Sequence, residues 1–351
     1  MIRKQDILDR AAEWQLRPEI VEKDYVLGWL LAGLDRTSLR ELWVFKGGTC
    51  IKKCYFETYR FSEDLDFSLQ PDAPYTQEAL TQQLRELTER VSELSGLEFP
   101  PGLIEVRTRR NQQGQPTYEG RVAYRGPLAY PGSPKIRFDF TQHEAVLDVV
   151  AARPLLHPYP DELPSKTTVS TYSFNELLAE KTRALLERSR PRDLYDITHL
   201  LENAPSEFDL NAVRNLFRRK CESKTIAVPS NAALVTAVRA DAELRSEWAN
   251  MLGHQLPALP DLDGLLQGCL DYSPGWTARR SLCQKHGWHQ HRFRWAACPL
   301  SHRASSFGAQ ALHWKLSGSP GAIGSLWSST ITECIVMWNR TPFVKRRPGT
   351  S

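Results

Sequence analysis

The segment from Lys46 to Leu69, KGGTCIKKCYFETYRFSEDLDFSL, limits the fold more than any other. From Phe61 to Leu69 it alternates with a period of two. Phe61, Leu65, Phe67 and Leu69 share one side, with Glu63 as the exception, and Ser62, Asp64, Asp66 and Ser68 share the other. That period predicts a strand with one buried side and an open side carrying two carboxylates. Two aligned carboxylates are the hard-oxygen donors that a divalent cation such as Mg²⁺ takes together with substrate phosphates. The alternative for an isolated D-x-D is a solvated polar strand face. Gly47-Gly48-Thr49 lies shortly before, between an apolar strand (42–45) and a helical stretch (49–55). Glycines at a strand-to-helix turn either serve the turn alone or expose backbone N–H groups to an anion. Asp64 and Asp66 follow Gly48 by 16 and 18 residues, room for a short helix and a return strand that sets the carboxylates beside the turn.

The rest of the chain supplies partners for such a centre. Helices are predicted at 5–14 and 18–34, the second with Pro18 in its first turn and Val21, Tyr25, Leu27, Leu30, Leu31 and Leu34 as its apolar face. A further amphipathic helix is predicted at 76–94, stopped by Gly96. Strands are expected at 104–109, 118–124 and 136–140, followed by a Pro-rich crossover at 153–164. In the third strand Lys135, Arg137 and Asp139 face opposite to Ile136, Phe138 and Phe140. Asp139 is then either a third carboxylate beside Asp64 and Asp66 or a surface charge next to Arg137. Three carboxylates around a metal suit phosphoryl transfer, with one able to act as general base.

Ser173 and Glu176 form an S-x-x-E capping box, with Tyr172 and Leu177 as a staple, opening a helix through Glu187. Helices are predicted after it at 192–201, 210–220, 231–240 and 242–252. Lys181 falls on an apolar stripe with Leu178 and Leu185, where it either meets a buried anion such as a triphosphate or snorkels to solvent. Asp193 shares a face with Ile197 and Leu201. Its candidate roles are orienting Lys181 or Arg188, contacting nucleotide, or a structural salt bridge.

Taken together these segments resemble the AbiEii/AbiGii nucleotidyltransferase family, toxins of abortive-infection and toxin–antitoxin systems. The matching pieces are Glu22-Lys23-Asp24-Tyr25, Lys46-Gly47-Gly48-Thr49, the run Arg60 to Phe67, Lys135 to Asp139, Glu180-Lys181 and Arg192-Asp193-Leu194-Tyr195-Asp196, in order over residues 20–200, with a weaker likeness through 248–260. The resemblance implies an α/β (α+β) fold, a nucleotidyltransferase domain of the polymerase-beta type over 1–165 followed by a helical domain over 166–271. It implies Mg²⁺ as cofactor, an NTP donor, an RNA acceptor such as the tRNA 3′ end, and an AbiEi-like antitoxin as partner. Asp64, Asp66 and Asp139 are then expected as metal ligands and, with Lys181 and Asp193, as the catalytic set. Lys46, Gly47, Gly48, Thr49, Ser62, Lys181, Arg192 and Asp196 are expected to bind nucleotide. Transfer to a protein or small-molecule hydroxyl, and a non-catalytic nucleic-acid- or antitoxin-binding role, are the competing functions.

Composition enters at two points. The chain has 351 residues, and no run of about 18 apolar residues suits a membrane span. Its charged N-terminus lacks an apolar signal region and its seven cysteines form no framework, so a cytoplasmic protein with reduced thiols is expected. The net charge of +4 is unevenly spread: residues 272–351 carry eleven Lys and Arg against Glu333 alone, which leaves the first 271 residues at −6. Six of the ten Trp and five of the nine His also lie in that last segment. It reads as an altered frame or degenerate end. The alternatives are a basic, Trp-bearing tail for single-stranded nucleic acid and a zinc site among Cys283, His286, His289, His291, Cys298 and His302.

Overall fold

The chain begins with α1 (Lys4–Trp14) and α2 (Pro18–Asp35). Every residue of α2 from Asp24 to Asp35 is buried, so it is an internal helix with no solvent face rather than the amphipathic helix its apolar stripe suggested. The structure is a computed structural model and describes residues 1–270 apart from 72–74, 112, 207 and 229–230. The proposed tail and its Cys/His cluster therefore lie outside the described residues.

After α2 come β1 (Trp43–Lys46), the single turn α3 (Gly47–Cys50), which continues as a wider turn through Tyr55, and β2 (Asp64–Leu69). The amphipathic α4 (Gln77–Ser95) starts where the Thr76 hydroxyl accepts the Ala79 N–H at 3.1 Å and stops at left-handed Gly96. Three strands follow as a meander: β3 (Ile104–Arg110), β4 (Pro116–Ala123) and β5 (Lys135–Thr141). Next are β6 (Ala151–Pro154) and β7 (Thr168–Thr171). Helices α5 (Phe174–Arg188), α6 (Pro191–Glu202), α7 (Leu210–Ser223), α8 (Asn231–Ala240), α9 (Ala242–Leu252) and α10 (Leu262–Leu270) complete the described chain.

The seven strands form one mixed sheet in the order β3-β4-β5-β2-β1-β7-β6, with β2 at its centre. The β2/β5 and β1/β7 pairings are parallel and the others antiparallel. Its apolar side is aromatic. Phe67, Phe138 and Phe140 stack with centroids 5.8–6.4 Å apart, and Trp43 meets Phe140 edge-on at 4.7 Å. Each such side chain contributes roughly 1.5–3 kcal/mol by burial. Gly120 in β4 leaves space for Leu84 of α4, which brings that helix down onto the sheet.

Two expectations need correction here. The stretch 153–164 is not a plain crossover: β6 begins before it and β7 follows it, two four-residue strands too short to show alternation in sequence. The capping box at Ser173 is half formed. Ser173 accepts the Glu176 N–H at 3.0 Å, but the Glu176 carboxylate turns away to accept the N–H groups of Leu147 and Asp148 and to pair with Lys220 at 2.9 Å. Glu176 thus ties the segment after β5 to α7. Residues of α5, α6 and α7 share the sheet's hydrophobic core, while Leu185 and Leu194 join α8–α10 in a smaller cluster around Leu244, Trp248 and Leu252. Cys50, Cys54 and Cys221 are buried free thiols.

Candidate active site

Strand register assembles a charged line across the polar side of the sheet. Lys46 on β1 pairs with Asp66 on β2, Asp66 with Asp139 on β5, and Asp139 with Glu119 on β4. One pleat away, Asp64 pairs with Arg137, and Arg137 with Arg121. Adjacent strands lie about 4.8 Å apart, so three carboxylates from two parallel strands gather on one surface. Arg137 sits among them, its guanidinium donating to Asp64 at 2.8 Å and to Asp139 at 3.0 Å.

One guanidinium does not balance three carboxylates. Burial pushes the Asp139 carboxyl up to about 6, and the charges of Asp66 and Asp64 add to that, against the opposing pull of Arg137. Asp64 is raised by burial and by Asp66 in the same way. Among the described residues no three His, Cys, Asp or Glu side chains converge on one point, because Arg137 stands between two of the candidates. The donors nevertheless fit a hard divalent cation: all are carboxylate oxygens, and the raised proton affinity of Asp64 and Asp139 marks a place where added positive charge is favoured.

The glycine turn lies directly against these carboxylates. Gly47 has φ +79, a left-handed conformation, and a Cβ there would fall on the Asp66 carboxylate. A Cβ on Gly48 would lie 2.5 Å from Arg60 Nη2 and 3.1 Å from Ser62 Oγ. Thr49 is fully buried and donates its hydroxyl to the Asp64 carbonyl at 2.5 Å, which fastens the turn to β2. Lys46 turns toward Glu144, with which it makes an ion pair, and Thr141 Oγ1 at 3.5 Å.

A buried ionic network lines the other side. Asp196 receives Arg60 Nε at 2.6 Å, Arg60 Nη2 at 2.7 Å, Lys181 Nζ at 2.8 Å and the Tyr59 hydroxyl. Burial alone would raise its carboxyl, yet Arg60 and Lys181 hold it well below the usual carboxylate range. Arg60 also donates to the Gln255 side chain at 3.0 Å, and the Phe61 N–H to the Gln255 carbonyl at 2.9 Å. Asp193 accepts two bonds from Arg188, at 2.8 and 3.0 Å, and one from Lys181 at 3.3 Å. Arg188 feels the charge of Asp66, and Arg192 those of Asp64 and Glu63, so both arginines lie within electrostatic reach of the carboxylates. Arg192 donates to the Met251 carbonyl at 3.3 Å and makes no ion pair among the described residues.

The structure thus gathers Gly47, Gly48, Thr49, Ser62, Asp64, Asp66 and Asp139 into one patch, with Lys46 at its rim. Lys181 and Asp196 are buried in a mutual ion pair, joined to the patch through Arg60, which binds Asp196 and packs against Gly48. Asp193 pairs with both Lys181 and Arg188, which fits either the orienting role or the structural salt bridge among its alternatives. Ser68, expected on the open side, is fully buried and bonded to the Tyr172 hydroxyl at 2.7 Å, because the segment before α5 covers that end of the sheet. The strand itself starts at Asp64, since Phe61 is drawn toward Gln255. Sequence reasoning assigned no site role to Arg60 or Arg137. The alternation of β5 put Arg137 on the side of Asp139, but its place opposite Asp64 depends on a strand pairing that the sequence does not state.

A family profile described as "Nucleotidyl transferase AbiEii toxin, Type IV TA system" matches residues 29–285. No curated protein matches the chain. Among solved structures, the nucleotidyltransferase toxin MenT4 from Mycobacterium tuberculosis H37Rv is similar at 20% identity over 76% of this chain and 86% of that chain, with a TM-score of 0.48.

Two stability measurements follow from this geometry. Arg60→Met removes one partner of a buried pair and is expected to cost about 3–5 kcal/mol in denaturant unfolding, since it leaves Asp196 buried with Lys181 alone. Asp139→Asn acts in the opposite direction. The folded Asp139 carboxyl is raised from 3.8 to about 6, so its ionisation opposes folding as pH rises through that window. The Asn variant is therefore expected to melt higher than wild type at pH 7.5, with the difference gone by about pH 4. A gap that is unchanged between those pH values overturns the assignment.

Proposed function

The chain belongs to the AbiEii family of nucleotidyltransferase toxins of type IV toxin–antitoxin systems, and on that premise we propose that it transfers a nucleotide from an NTP to the 3′ end of a tRNA and so blocks translation. The observation that carries this reading is the in-register line of Lys46, Asp66 and Asp139 across three adjacent strands, with Asp64 one pleat away and the Gly47-Gly48 turn against Asp66.

In this reading Asp64, Asp66 and Asp139 hold Mg²⁺, which when bound neutralises phosphate charge and orients the transferring group. Gly47 and Gly48 carry no side chain, so Asp66, Arg60 and Ser62 pack directly against the turn, which sets these polar groups together where a triphosphate would be held. Thr49 keeps the turn in register with β2. Arg192, without an ion-pair partner among the described residues, is the cation available to the phosphates. Lys181 and Asp193 act from behind by fixing α5 to α6 and holding Arg188 in place. Of the three carboxylates Asp139 has a proton affinity close to neutrality, which suits accepting the proton of the attacking hydroxyl. Lys46 and Asp196 support the site through their ion pairs with Glu144 and Arg60. No described helix is long and apolar enough to cross a membrane. A toxin of this type has an antitoxin partner; an AbiEi-like protein and a cytoplasmic site of action complete the proposal.

The test is to incubate purified protein with labelled NTPs, Mg²⁺ and total tRNA. Wild type is expected to label RNA, and Asp64→Ala and Asp66→Ala to lose at least about 100-fold in rate, equivalent to about 2.7 kcal/mol of transition-state stabilisation. Equal labelling by wild type and Asp64→Ala would sink the mechanism. Labelling of protein or small molecules in place of RNA would move the acceptor. Separately, Mg²⁺ without nucleotide is expected to raise the melting temperature of wild type and to leave Asp64→Asn/Asp66→Asn unchanged.

A further inference from the structure

The polar side of the meander holds five cations, Arg107, Arg109, Arg121, Lys135 and Arg137, against the three acids Glu105, Glu119 and Asp139. Strand alternation places Arg107 and Arg109 of β3, Arg121 of β4, and Lys135 and Arg137 of β5 on the same side of the sheet as Asp139 and Asp64. The side chains of Arg107, Arg109, Arg121 and Arg137 are 61, 57, 41 and 46% exposed, and Lys135 is also exposed, so no described element covers this side. By contrast α4 packs on the opposite side, where Leu84 meets Gly120.

The acids on this surface, besides the carboxylates of the candidate site, are Glu105 and Glu119. Arg107 pairs with Glu105 at 3.1 Å, and Arg109 and Arg121 share Glu119 at 2.7 and 2.8 Å. Two cations thus share one acid on the central strand, and Lys135 has no ion pair among the described residues. This concentration stands out because the first 271 residues carry a net charge of −6. On these three strands the balance is reversed, with five cations against the three acids Glu105, Glu119 and Asp139 on one open surface. Their line is also directed: Arg121 pairs with Arg137 in register, and Arg137 with Asp64, so the basic row ends on the carboxylates.

We infer that the side of the sheet formed by β3, β4 and β5 is the docking surface for the RNA acceptor, whose phosphodiester backbone crosses the arginine row and delivers its terminal hydroxyl to Asp139. This inference rests on the RNA-acceptor reading above and adds where the acceptor lies. Arginine suits the task, because its planar fork binds phosphate oxygens in pairs and its exposed ion pairs open readily to a stronger anion. Strand spacing sets the row at about 10 Å from β3 to β5, on a rigid platform rather than a loop. A flat row of backbone contacts positions an acceptor without reading its bases.

The test uses full-length protein, Arg107→Gln/Arg109→Gln, and Arg121→Gln as an independent variant in case the pair perturbs β3. Fluorescence anisotropy with labelled tRNA is measured across a salt series, alongside NTP binding. The double variant is expected to bind tRNA roughly tenfold more weakly. Its slope of log affinity against log salt is expected to be shallower by about 1.5, at ~0.7–0.9 per lost phosphate contact. NTP affinity should not change, and KM for tRNA should rise while kcat is kept. Wild-type affinity and slope in both variants overturn the inference while leaving the transferase reading intact, and assign the surface to an acidic protein partner instead. Failure of wild type to bind tRNA at all, with transfer to another acceptor intact, overturns the RNA reading and the docking surface together.

Discussion

Asp196 is the ion on which the candidate site depends. It is fully buried in α6, yet its partners come from two other parts of the chain: Arg60 and Tyr59 before β2, and Lys181 in α5. Two charged groups taken out of water are tolerable only when their geometry satisfies most of their hydrogen bonds, and here the guanidinium binds the carboxylate through two nitrogens. The loop that carries Ser62 and leads into the carboxylate strand is thereby fastened to the helices that carry Arg188 and Arg192. Without that fastening the phosphate-facing turn and the arginines would belong to bodies free to drift apart.

Around this anchor the site is arranged by charge balance. The carboxylates on β2 and β5 repel one another, and Arg137 relieves part of that repulsion without removing it. A guanidinium is larger than a divalent cation and spreads its charge, so it bridges Asp64 and Asp139 from the side instead of collecting all three carboxylates. The same residue connects the carboxylates to the basic row on the meander, so one side chain belongs to both the anionic and the cationic parts of the surface.

Much of this was legible in the sequence where local chemistry decides local structure. The alternation of residues 61–69 and 136–140 pointed to both carboxylate strands, because a half-buried strand must alternate, although the first strand begins only at Asp64. Thr76 and Gly96 bounded α4 through ordinary capping. The family resemblance drawn from these motifs agrees with the profile match over residues 29–285. What stayed hidden depends on pairing across long separations. Nothing local says that Arg137 lies opposite Asp64, that Arg60 meets Asp196, or that Glu176 leaves its own cap for Lys220. The four-residue strands β6 and β7 were invisible for another reason: each has too few residues for a period, and they exist because the sheet offers them a partner.

The parallel pairing of β2 with β5 has a consequence for how the protein is made. Asp66 and Asp139 are brought together only after the intervening helix and meander have emerged and folded back, and Arg60 finds its counter-ion only once α6 has followed. Such distant pairings form late and slowly compared with local hairpins and helices. On the ribosome the growing chain therefore carries every residue of the glycine turn and its first two carboxylates long before it carries a working centre. The centre is therefore closed by its most distant contacts, after most of the chain has left the ribosome.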